Sequence, residues 1–316
     1  MSIKTKITPE PLIIIAGPTA TGKTAAAAEL CLQLGGEVIS ADSMQIYKYM
    51  DIGTAKPGDA EKRGVPHHLM DELYPDEAYS AYAFKSRAEA LISDIRSRDK
   101  RPVICGGTGF YINALVNETD FVPMPADEAY RAELYALEPD VLVSMLKECD
   151  PVSADQIHPN NIKRLVRALE FYKQTGQAIS AHNARERGKA GQSHARFAIL
   201  TMERSALYDR INKRVDDMVA AGLEHETRAL LARGYAQGLV SMQGIGYKEM
   251  IRYIRGEYSL DDAVDAIKTG TRRYAKRQWT WFSRQLTNAD CSWYNVDDFN
   301  GPKDLAARIA RDMAVT

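Results

Sequence analysis

The chain has 316 residues, of which 45% are hydrophobic and 26% are charged, and its formal net charge is −1. These values are typical of a soluble globular protein that forms one large domain or a core with an inserted second domain. No apolar run approaches the roughly 20 residues that cross a bilayer, and the first apolar stretch, Leu12 to Ala16, is too short for a secretion signal. We therefore expect no association with a membrane.

The four cysteines, Cys31, Cys105, Cys149 and Cys291, lie far apart in the chain. None forms a Cys-x-x-Cys pair, so the sequence predicts neither a zinc site nor a disulfide framework. Such cysteines are typical of a reducing compartment, and we expect a cytoplasmic protein. The net charge says nothing by itself about polyanion binding, which depends on whether positive side chains gather on one face.

The first elements along the chain predict an α/β fold. Residues 12–16 are a short, continuous apolar run rich in β-branched side chains, as in a strand that is buried on both faces. A loop over residues 17–22 leads into a predicted helix from Lys23 to Leu34, which Gly35 and Gly36 end. A second strand follows over residues 37–40. This strand-loop-helix-strand order is typical of a parallel sheet.

Further along, a helix is predicted from Tyr82 to Arg98, and buried strands are predicted over residues 102–105 and 197–200. Ligands of open α/β sheets sit beyond the carboxyl ends of the strands. Three strand-end loops, 17–24, 42–45 and 106–109, are therefore the predicted walls of a site.

Between the third and fourth predicted strands, the pattern becomes helical. We interpret residues 122–194 as an all-helical insertion domain, and residues 1–121 with 195–316 as an α/β core with a parallel sheet flanked by helices. From Ser205 onward the pattern predicts helices, with a break between Gly234 and Gly246.

The loop after the first strand matches the phosphate-binding pattern G-x-x-x-x-G-K-[ST]. It consists of Gly17, Pro18, Thr19, Ala20, Thr21, Gly22, Lys23 and Thr24. The glycines allow backbone N–H groups to point at an anion, and the helix that follows adds its positive N-terminal end. Lys23 supplies a full charge, and the Thr24 hydroxyl is a predicted Mg²⁺ ligand. With this loop after its first strand, the core of residues 1–121 and 195–316 resembles the P-loop NTPases.

The motif does not say which phosphate ester binds. ATPases and GTPases usually hold Mg²⁺ with an acid at the end of a core strand, but the third predicted strand ends in Gly106 and Gly107. Asp42 is the single carboxylate at a candidate strand end. It is either that metal ligand or a base that faces a second substrate.

Several motifs resemble the tRNA dimethylallyltransferase family. They run in order from residue 17 to residue 282, so the resemblance covers nearly the whole chain. The motifs are the phosphate loop, Ser40 to Tyr47, Met50 to Pro57, Pro66 to Leu69, Gly106 to Tyr111, Gly244 to Glu249 and Thr271 to Gln278. The resemblance implies that dimethylallyl diphosphate binds in the phosphate loop and that the acceptor is the exocyclic amine of the adenosine 3′ of the anticodon in tRNA. We expect the protein to act as a monomer.

An exocyclic adenine amine is a poor nucleophile, because its lone pair is delocalised into the ring. Asp42 is placed to take its proton as general base. On the other side, negative charge grows on the departing diphosphate, where fixed donors stabilise it. By resemblance Thr108 lies at this centre and Arg214 clamps the diphosphate, with Arg210, one helical turn earlier, as the fallback.

Each of these residues also has a structural interpretation. Asp42 would cap the segment that follows it, and Thr108 would belong to a glycine-rich turn. Arg214 would be a solvated charge on a helix. For the adjacent pair His67 and His68, we favour structural hydrogen bonds over metal ligation, because neighbours in an extended segment point in opposite directions.

Residues 266–289 contain no acid but several arginines, lysines and aromatic residues. We predict that the arginines contact RNA phosphates, and that Trp279 and Phe282 belong to the core. The target adenine must turn out of a stacked loop, and the resemblance implies that residues 43–45 hold it. The residues predicted to contact the anticodon stem-loop are Asp42, Ser43, Met44, Gln45, Thr108, Arg131, Asn161, Ile162, Lys163, Arg164, Leu165, Gly244, Ile245, Gly246, Tyr247, Lys248, Arg273 and Arg277.

Two other functions share some of these features. A P-loop kinase of a nucleoside or small metabolite would use the same phosphate loop and α/β core, but it would turn over ATP. An RNA-binding protein gated by a nucleotide would leave Asp42 and Thr108 without a chemical role.

Overall fold

The computed structural model describes residues 10–117, 126–188, 195–286 and 290–313. The chain forms two compact units, one comprising Met1–Leu115 with His194–Thr316 and the other comprising Val116–Ser193. Residues 121, 122 and 194, at the domain boundaries suggested by the sequence, lie outside the described residues.

The first unit is built on a parallel sheet. Its strands are β1 (Leu12–Ala16), β2 (Gly36–Ser40), β3 (His67–His68), β4 (Arg101–Gly106), β5 (Ala195–Thr201) and β6 (Asp290–Asn295). They form one sheet in the order β3-β2-β4-β1-β5-β6, and every neighbouring pair is parallel. The predicted α/β fold class is confirmed.

The described helices are α1 (Lys23–Leu34), α2 (Asp59–Lys62), α3 (Ala81–Ser97), α4 (Gly109–Val116), α5 (Glu128–Tyr135), α6 (Pro139–Cys149), α7 (Pro151–Gln156), α8 (Ile162–Thr175), α9 (Ile179–Gly188), α10 (Arg204–Ala220), α11 (Leu223–Ala232), α12 (Tyr247–Ile254), α13 (Leu260–Gln285) and α14 (Pro302–Met313). Short 3₁₀ turns occupy Ser241–Gln243 and Val296–Asp298. None of the helices in the described part of the chain is both long and apolar enough to span a bilayer.

The strand β1 lies between β4 and β5, which explains its uninterrupted apolar sequence. Ile14 and Ile15 are fully buried because helices or strands cover every side of them. The helix α1 has the bounds that the sequence predicted. It ends at Gly35, whose φ of 65° is a left-handed conformation that glycine adopts without steric cost.

The order of the strands decides where the loops lie. Because β2, β4 and β1 are neighbours and all run in the same direction, their carboxyl ends share one edge of the sheet. The loops that follow them are the three that the sequence predicted as site walls. The sheet therefore brings the phosphate loop, Asp42 and the glycine-rich 106–109 loop side by side.

Two strands were not predicted. The chain was expected to be helical after Ser205, but β6 forms the far edge of the sheet and pairs with β5. Its sequence is largely polar, and it alternates between exposed Trp293 and buried Tyr294 because an edge strand packs on one face. The strand β3 has two residues, which is too short for any periodicity to show.

The helix α13 corrects one prediction about the core and confirms another. Phe282 is fully buried, as predicted, whereas Trp279 is 51% exposed and does not belong to the core. The buried side chains of this helix include Ala275, Gln278 and Phe282, spaced three and four residues apart. Trp279 is the residue after Gln278. Because successive residues of a helix are rotated by about 100°, its side chain lies off the buried face.

The two histidines form structural hydrogen bonds, as predicted. His67 donates from Nδ1 to the carbonyl of Val65 at 2.8 Å, and His68 donates from Nε2 to Glu37 at 2.8 Å. They belong to β3, where successive side chains point to opposite faces of the sheet.

The second unit has a small helical core of its own. Leu142 and Leu146 on α6 are fully buried against Leu165 on α8. Glu170 is also fully buried, and it accepts hydrogen bonds from Arg131 on α5 and Arg167 on its own helix. The second unit therefore combines apolar helix packing with a buried ion-pair cluster.

A carboxylate at the start of β2 makes the stability of the first unit depend on pH. Glu37 is buried and bonds Arg98 at 2.5 and 2.8 Å, His68 at 2.8 Å and Lys100 at 3.2 Å. The hydrogen bonds from Arg98 are the main reason that the pKa of Glu37 lies well below its usual range. The folded protein thus favours the ionised form more strongly than the unfolded chain does.

We predict that this contribution is fully present above the ordinary glutamate pKa of about 4.3 and is lost as the pH falls below it. Glu37→Gln should lower the free energy of unfolding by about 2 kcal/mol at pH 7, because a neutral amide accepts the hydrogen bonds from the cations Arg98 and Lys100 less strongly than a carboxylate does. The free energy of unfolding of this variant should also change less as the pH falls. Urea unfolding of both proteins between pH 3 and pH 7 measures this, and parallel curves would contradict the assignment.

Candidate active site

The phosphate loop forms a tight turn between β1 and α1. Gly17 has a φ of 140°, and a side chain there would overlap the carbonyl oxygen of Leu200 on β5. Inside the loop, the Thr21 hydroxyl and the Lys23 ammonium both donate to the carbonyl of Pro18, at 2.9 and 2.6 Å. The turn is therefore held by its own side chains, with α1 beginning at Lys23 behind it.

Lys23 is a partly desolvated cation. Burial is the main cause that lowers its pKa to about 8, and the charge on Arg214 lowers it further, while Asp42 partly offsets both effects. Burial also lowers the pKa of Arg214, again against the effect of Asp42. Two cations with this little solvent around them favour the arrival of an anion.

Two cavities meet at this edge of the sheet. The first, of about 440 Å³, is lined by the phosphate-loop residues Thr19, Ala20, Gly22, Lys23 and Thr24 and by residues of the segments 54–57 and 61–70. The second, of about 360 Å³, is lined by Ser43, Met44, residues 243–248, Thr271, Tyr274 and Arg277. Thr19, Asp42, Thr54 and Arg214 line both cavities. These four residues form the shared wall.

On the shared wall, the Arg214 guanidinium donates to the Thr19 hydroxyl at 3.2 Å. Arg210, the fallback for the diphosphate-clamping residue, lines the first cavity and contacts the sulfur of Met202. The structure therefore places Arg214, and not Arg210, between the two cavities.

Asp42 follows β2 directly after Ala41. Its Oδ1 accepts a hydrogen bond from the N–H of Met44 at 2.9 Å, so the capping interaction considered from the sequence is present. Within the part of the chain that the structure describes, no hydrogen bond to Oδ2 is formed. One oxygen is therefore used to hold the turn, and the second is available to a ligand in either cavity.

Thr108 lies beside the shared wall without lining either cavity. Its hydroxyl accepts a hydrogen bond from the N–H of Ser43 at 3.2 Å, and its N–H donates to the carbonyl of Ala41 at 3.2 Å. Through these bonds Thr108 holds the turn that carries Asp42.

The three residues after Asp42 line different cavities. Ser43 and Met44 line the second cavity, whereas Gln45 lines the first. The buried Gln45 amide accepts a hydrogen bond from the Ser40 hydroxyl and donates to the carbonyls of Thr54 and Ala55. Gln45 thus supports the 54–55 segment in this structure.

Other residues predicted to contact RNA lie at three places. Residues 244–248 and Arg277 line the second cavity, and Arg273 lies with Arg277 along a shallow groove on α13. In the second unit, Lys163 and Arg164 are exposed at the start of α8, while Leu165 is buried. Arg131 is held by two hydrogen bonds to Glu170, at 2.9 and 3.0 Å.

The sequence did not single out Glu226 on α11, although this residue holds backbone that lies next to both cavities. Its carboxylate accepts hydrogen bonds from three successive backbone N–H groups, residues 51–53, at 2.8 to 3.0 Å, and from the Tyr247 hydroxyl at 2.7 Å. The bonded segment leads directly to Thr54 on the shared wall. No sequence pattern could have revealed this contact, because it joins residues about 175 positions apart.

Comparison with known proteins gives a consistent result. The family model described as IPP transferase matches residues 45–285. The chain is 45% identical over 306 residues to the tRNA dimethylallyltransferase of Lachnoclostridium phytofermentans, covering 96% of this chain and 97% of that relative. It is 47% identical over 307 residues to the enzyme of the same name from Acetivibrio thermocellus, covering 96% and 97%.

Comparison with solved structures gives the same family. The full-length tRNA isopentenylpyrophosphate transferase from Bacillus halodurans is 42% identical with a TM-score of 0.71, covering 96% of this chain and 97% of that one. A eukaryotic dimethylallyltransferase captured acting on tRNA is 30% identical with a TM-score of 0.82, covering 95% and 78%. The fold and site define a P-loop-like protein with an anion-binding loop beside a carboxylate. The chain belongs to the IPP transferase family, which favours the transferase interpretation over a kinase.

The lowered pKa of Lys23 leads to a prediction about anion binding. In the ligand-free protein the ammonium loses its charge as the pH rises through about 8, so its attraction for an anion is present below that value and lost above it. Between pH 7 and pH 9, the affinity for inorganic diphosphate should fall by about tenfold more than it does in Lys23→Arg, which stays charged.

Isothermal titration calorimetry at several pH values measures this difference. The ligand's own titration is common to both proteins and cancels in the comparison. Lys23→Ala should bind diphosphate more weakly at pH 7 because the charge is missing. An unchanged affinity in Lys23→Ala would show that the loop is not the anion site.

Proposed function

We propose that this protein transfers the dimethylallyl group of dimethylallyl diphosphate to the exocyclic N6 amine of the adenosine 3′ of the anticodon in tRNA, releasing diphosphate. The shared wall between the two cavities is the observation that carries the proposal. A donor in the first cavity and an acceptor in the second would both reach Asp42, Thr19 and Arg214. The names of the relatives support the same reaction.

On the donor side, the chain supplies charge where the leaving group develops it. The allylic C1–O bond breaks with its electron pair on diphosphate, so negative charge increases at the phosphate loop. Lys23 and Arg214 are partly desolvated and already positioned, and they stabilise this charge more strongly than mobile water would.

On the acceptor side, the new N6–C1 bond leaves the amine with one proton too many. The Asp42 carboxylate takes that proton, because its Oδ2 is available while Oδ1 keeps the turn in place. Removing the proton as the bond forms prevents positive charge from building up on the nitrogen. Ser43 and Met44, which line the second cavity, would contact the adenine.

Mg²⁺ is the proposed cofactor. Thr24 supplies a hydroxyl oxygen in the first cavity, which is the ligand type that Mg²⁺ prefers. Among the described residues, no group of three or more His, Cys, Asp or Glu side chains could hold a metal, so Thr24 and the diphosphate oxygens would share the ion. When bound, Mg²⁺ offsets charge on the leaving diphosphate.

The adenine has to leave a stacked anticodon loop, at a cost of a few kcal/mol. Phosphate contacts from Arg273 and Arg277 would hold the RNA while the base enters the second cavity next to them. The exposed side chains of Lys163 and Arg164 in the second unit would contact tRNA phosphates. We place this activity in a monomer in the cytoplasm, where the four free cysteines would stay reduced.

One experiment tests the proposed function. The protein is incubated with labelled dimethylallyl diphosphate, Mg²⁺ and an unmodified anticodon stem-loop. We expect the label to appear on the adenosine 3′ of the anticodon, and a stem-loop with guanosine at that position should stay unlabelled. ATP consumption without prenyl transfer would support a kinase instead, and RNA binding without either reaction would support a non-catalytic protein.

The role of Asp42 gives a sharper prediction. Asp42→Asn keeps an oxygen that can accept the Met44 N–H, but it removes the proton acceptor, so kcat should fall by about 100-fold or more. The affinity for the stem-loop, measured by fluorescence anisotropy, should change by less than about threefold, because general-base catalysis acts in the transition state. Turnover close to that of the wild type would exclude Asp42 as the base.

A further inference from the structure

A buried amide lies directly behind the shared wall. Gln278 is 6% exposed and occupies the inward face of α13, but it lines neither cavity. A buried glutamine needs partners for both its oxygen and its nitrogen, because leaving either unpaired is costly. Its partners therefore show what the residue is for.

The two ends of the amide bond two different loops. The Oε1 atom accepts a hydrogen bond from the N–H of Thr19 at 2.8 Å, and Nε2 donates to the carbonyl of Gly107 at 3.0 Å. Thr19 belongs to the phosphate loop and also accepts the hydrogen bond from Arg214. Gln278 thus links the phosphate loop to the end of β4.

The residue after Gly107 continues the link to the third loop. Thr108 directly follows Gly107, and its N–H donates to the carbonyl of Ala41 at 3.2 Å. Thr108 in turn accepts from the N–H of Ser43, the residue after Asp42. The hydrogen bonds of Gln278 and of Thr108, which is joined to Gly107 in the chain, therefore connect the loop with Lys23 to the loop with Asp42.

The close contact between Gln278 and Gly107 restricts the side chain at both positions. A side chain at Gly107 would overlap Nε2 of Gln278, so the close approach requires glycine there. The amide is also chemically specific, since it offers one acceptor and one donor at fixed positions. Glutamate would accept from Thr19 but could not donate to Gly107 while ionised.

We propose that Gln278 is a positioning residue that fixes the phosphate loop relative to the loop bearing the general base. The proposal rests on the transferase function above. Gln278 touches neither substrate, and it sets where the leaving group lies relative to the amine that attacks. Small errors in that placement reduce the rate far more than they reduce the binding of either substrate.

Gln278→Glu is the matched test, because it keeps the size and the acceptor but removes the donor. We expect kcat to fall by about tenfold or more, with the KM values for donor and stem-loop within about threefold of the wild type. Gln33→Glu is the control: Gln33 is exposed on α1, donates weakly to a backbone carbonyl at 3.4 Å, and lines neither cavity. It should leave kcat unchanged.

The pH profile separates positioning from a general loss of structure. A protonated glutamic acid regains the missing donor, and burial next to a carbonyl raises its pKa. The ratio of the rate of Gln278→Glu to that of the wild type should therefore rise as the pH falls from 8 to 6. A ratio that stays flat, or a kcat equal to that of the wild type, would overturn the proposal.

A measurement on the wild type covers the case in which the variant does not fold. The N–H of Thr19 should exchange with solvent slowly, by more than about 100-fold below the rate of an exposed amide, because its partner is buried. Rapid exchange at Thr19 would overturn the proposal. Failure of the wild type to transfer the prenyl group would instead contradict the proposed function, and the exchange result would still report on the link.

Discussion

The whole site depends on three neighbouring parallel strands, β2, β4 and β1. Because they run in the same direction, the loops at their carboxyl ends lie side by side. An anion-binding loop and a carboxylate that are about 20 residues apart in sequence thereby come to line the same two cavities. An antiparallel neighbour would have placed one of these loops at the opposite edge of the sheet.

Charge at that edge is arranged before any ligand arrives. Lys23 and Arg214 are both partly buried, which disfavours their charged forms, and Asp42 only partly offsets this. A diphosphate would relieve the imbalance, and the relief would be larger in the transition state, where the leaving group carries more charge. Partial burial therefore disfavours the charged forms of both cations in the free protein, but it strengthens their attraction for the diphosphate during the proposed reaction.

The helices α13 and α11 support the loops that the sheet brings together. The helix α13 presents Arg273 and Arg277 to a groove and a cavity, and its buried face carries Gln278, which bonds two of the strand-end loops. One helix would thus contact both the RNA and the catalytic loops. Glu226 on α11 has a similar supporting role, since it holds the backbone that leads to Thr54.

The sequence by itself determined the elements whose signals are local. These include β1, the phosphate loop and α1, because a buried apolar run, a glycine pattern and a helix period are all contained in about 25 consecutive residues. It also placed Asp42 at a strand end. Tertiary structure alone decided the edge strand β6, the exposure of Trp279, and the bonds from Gln278 and Glu226. Each of these depends on which distant residue packs alongside, and such a contact leaves no pattern in the neighbouring sequence.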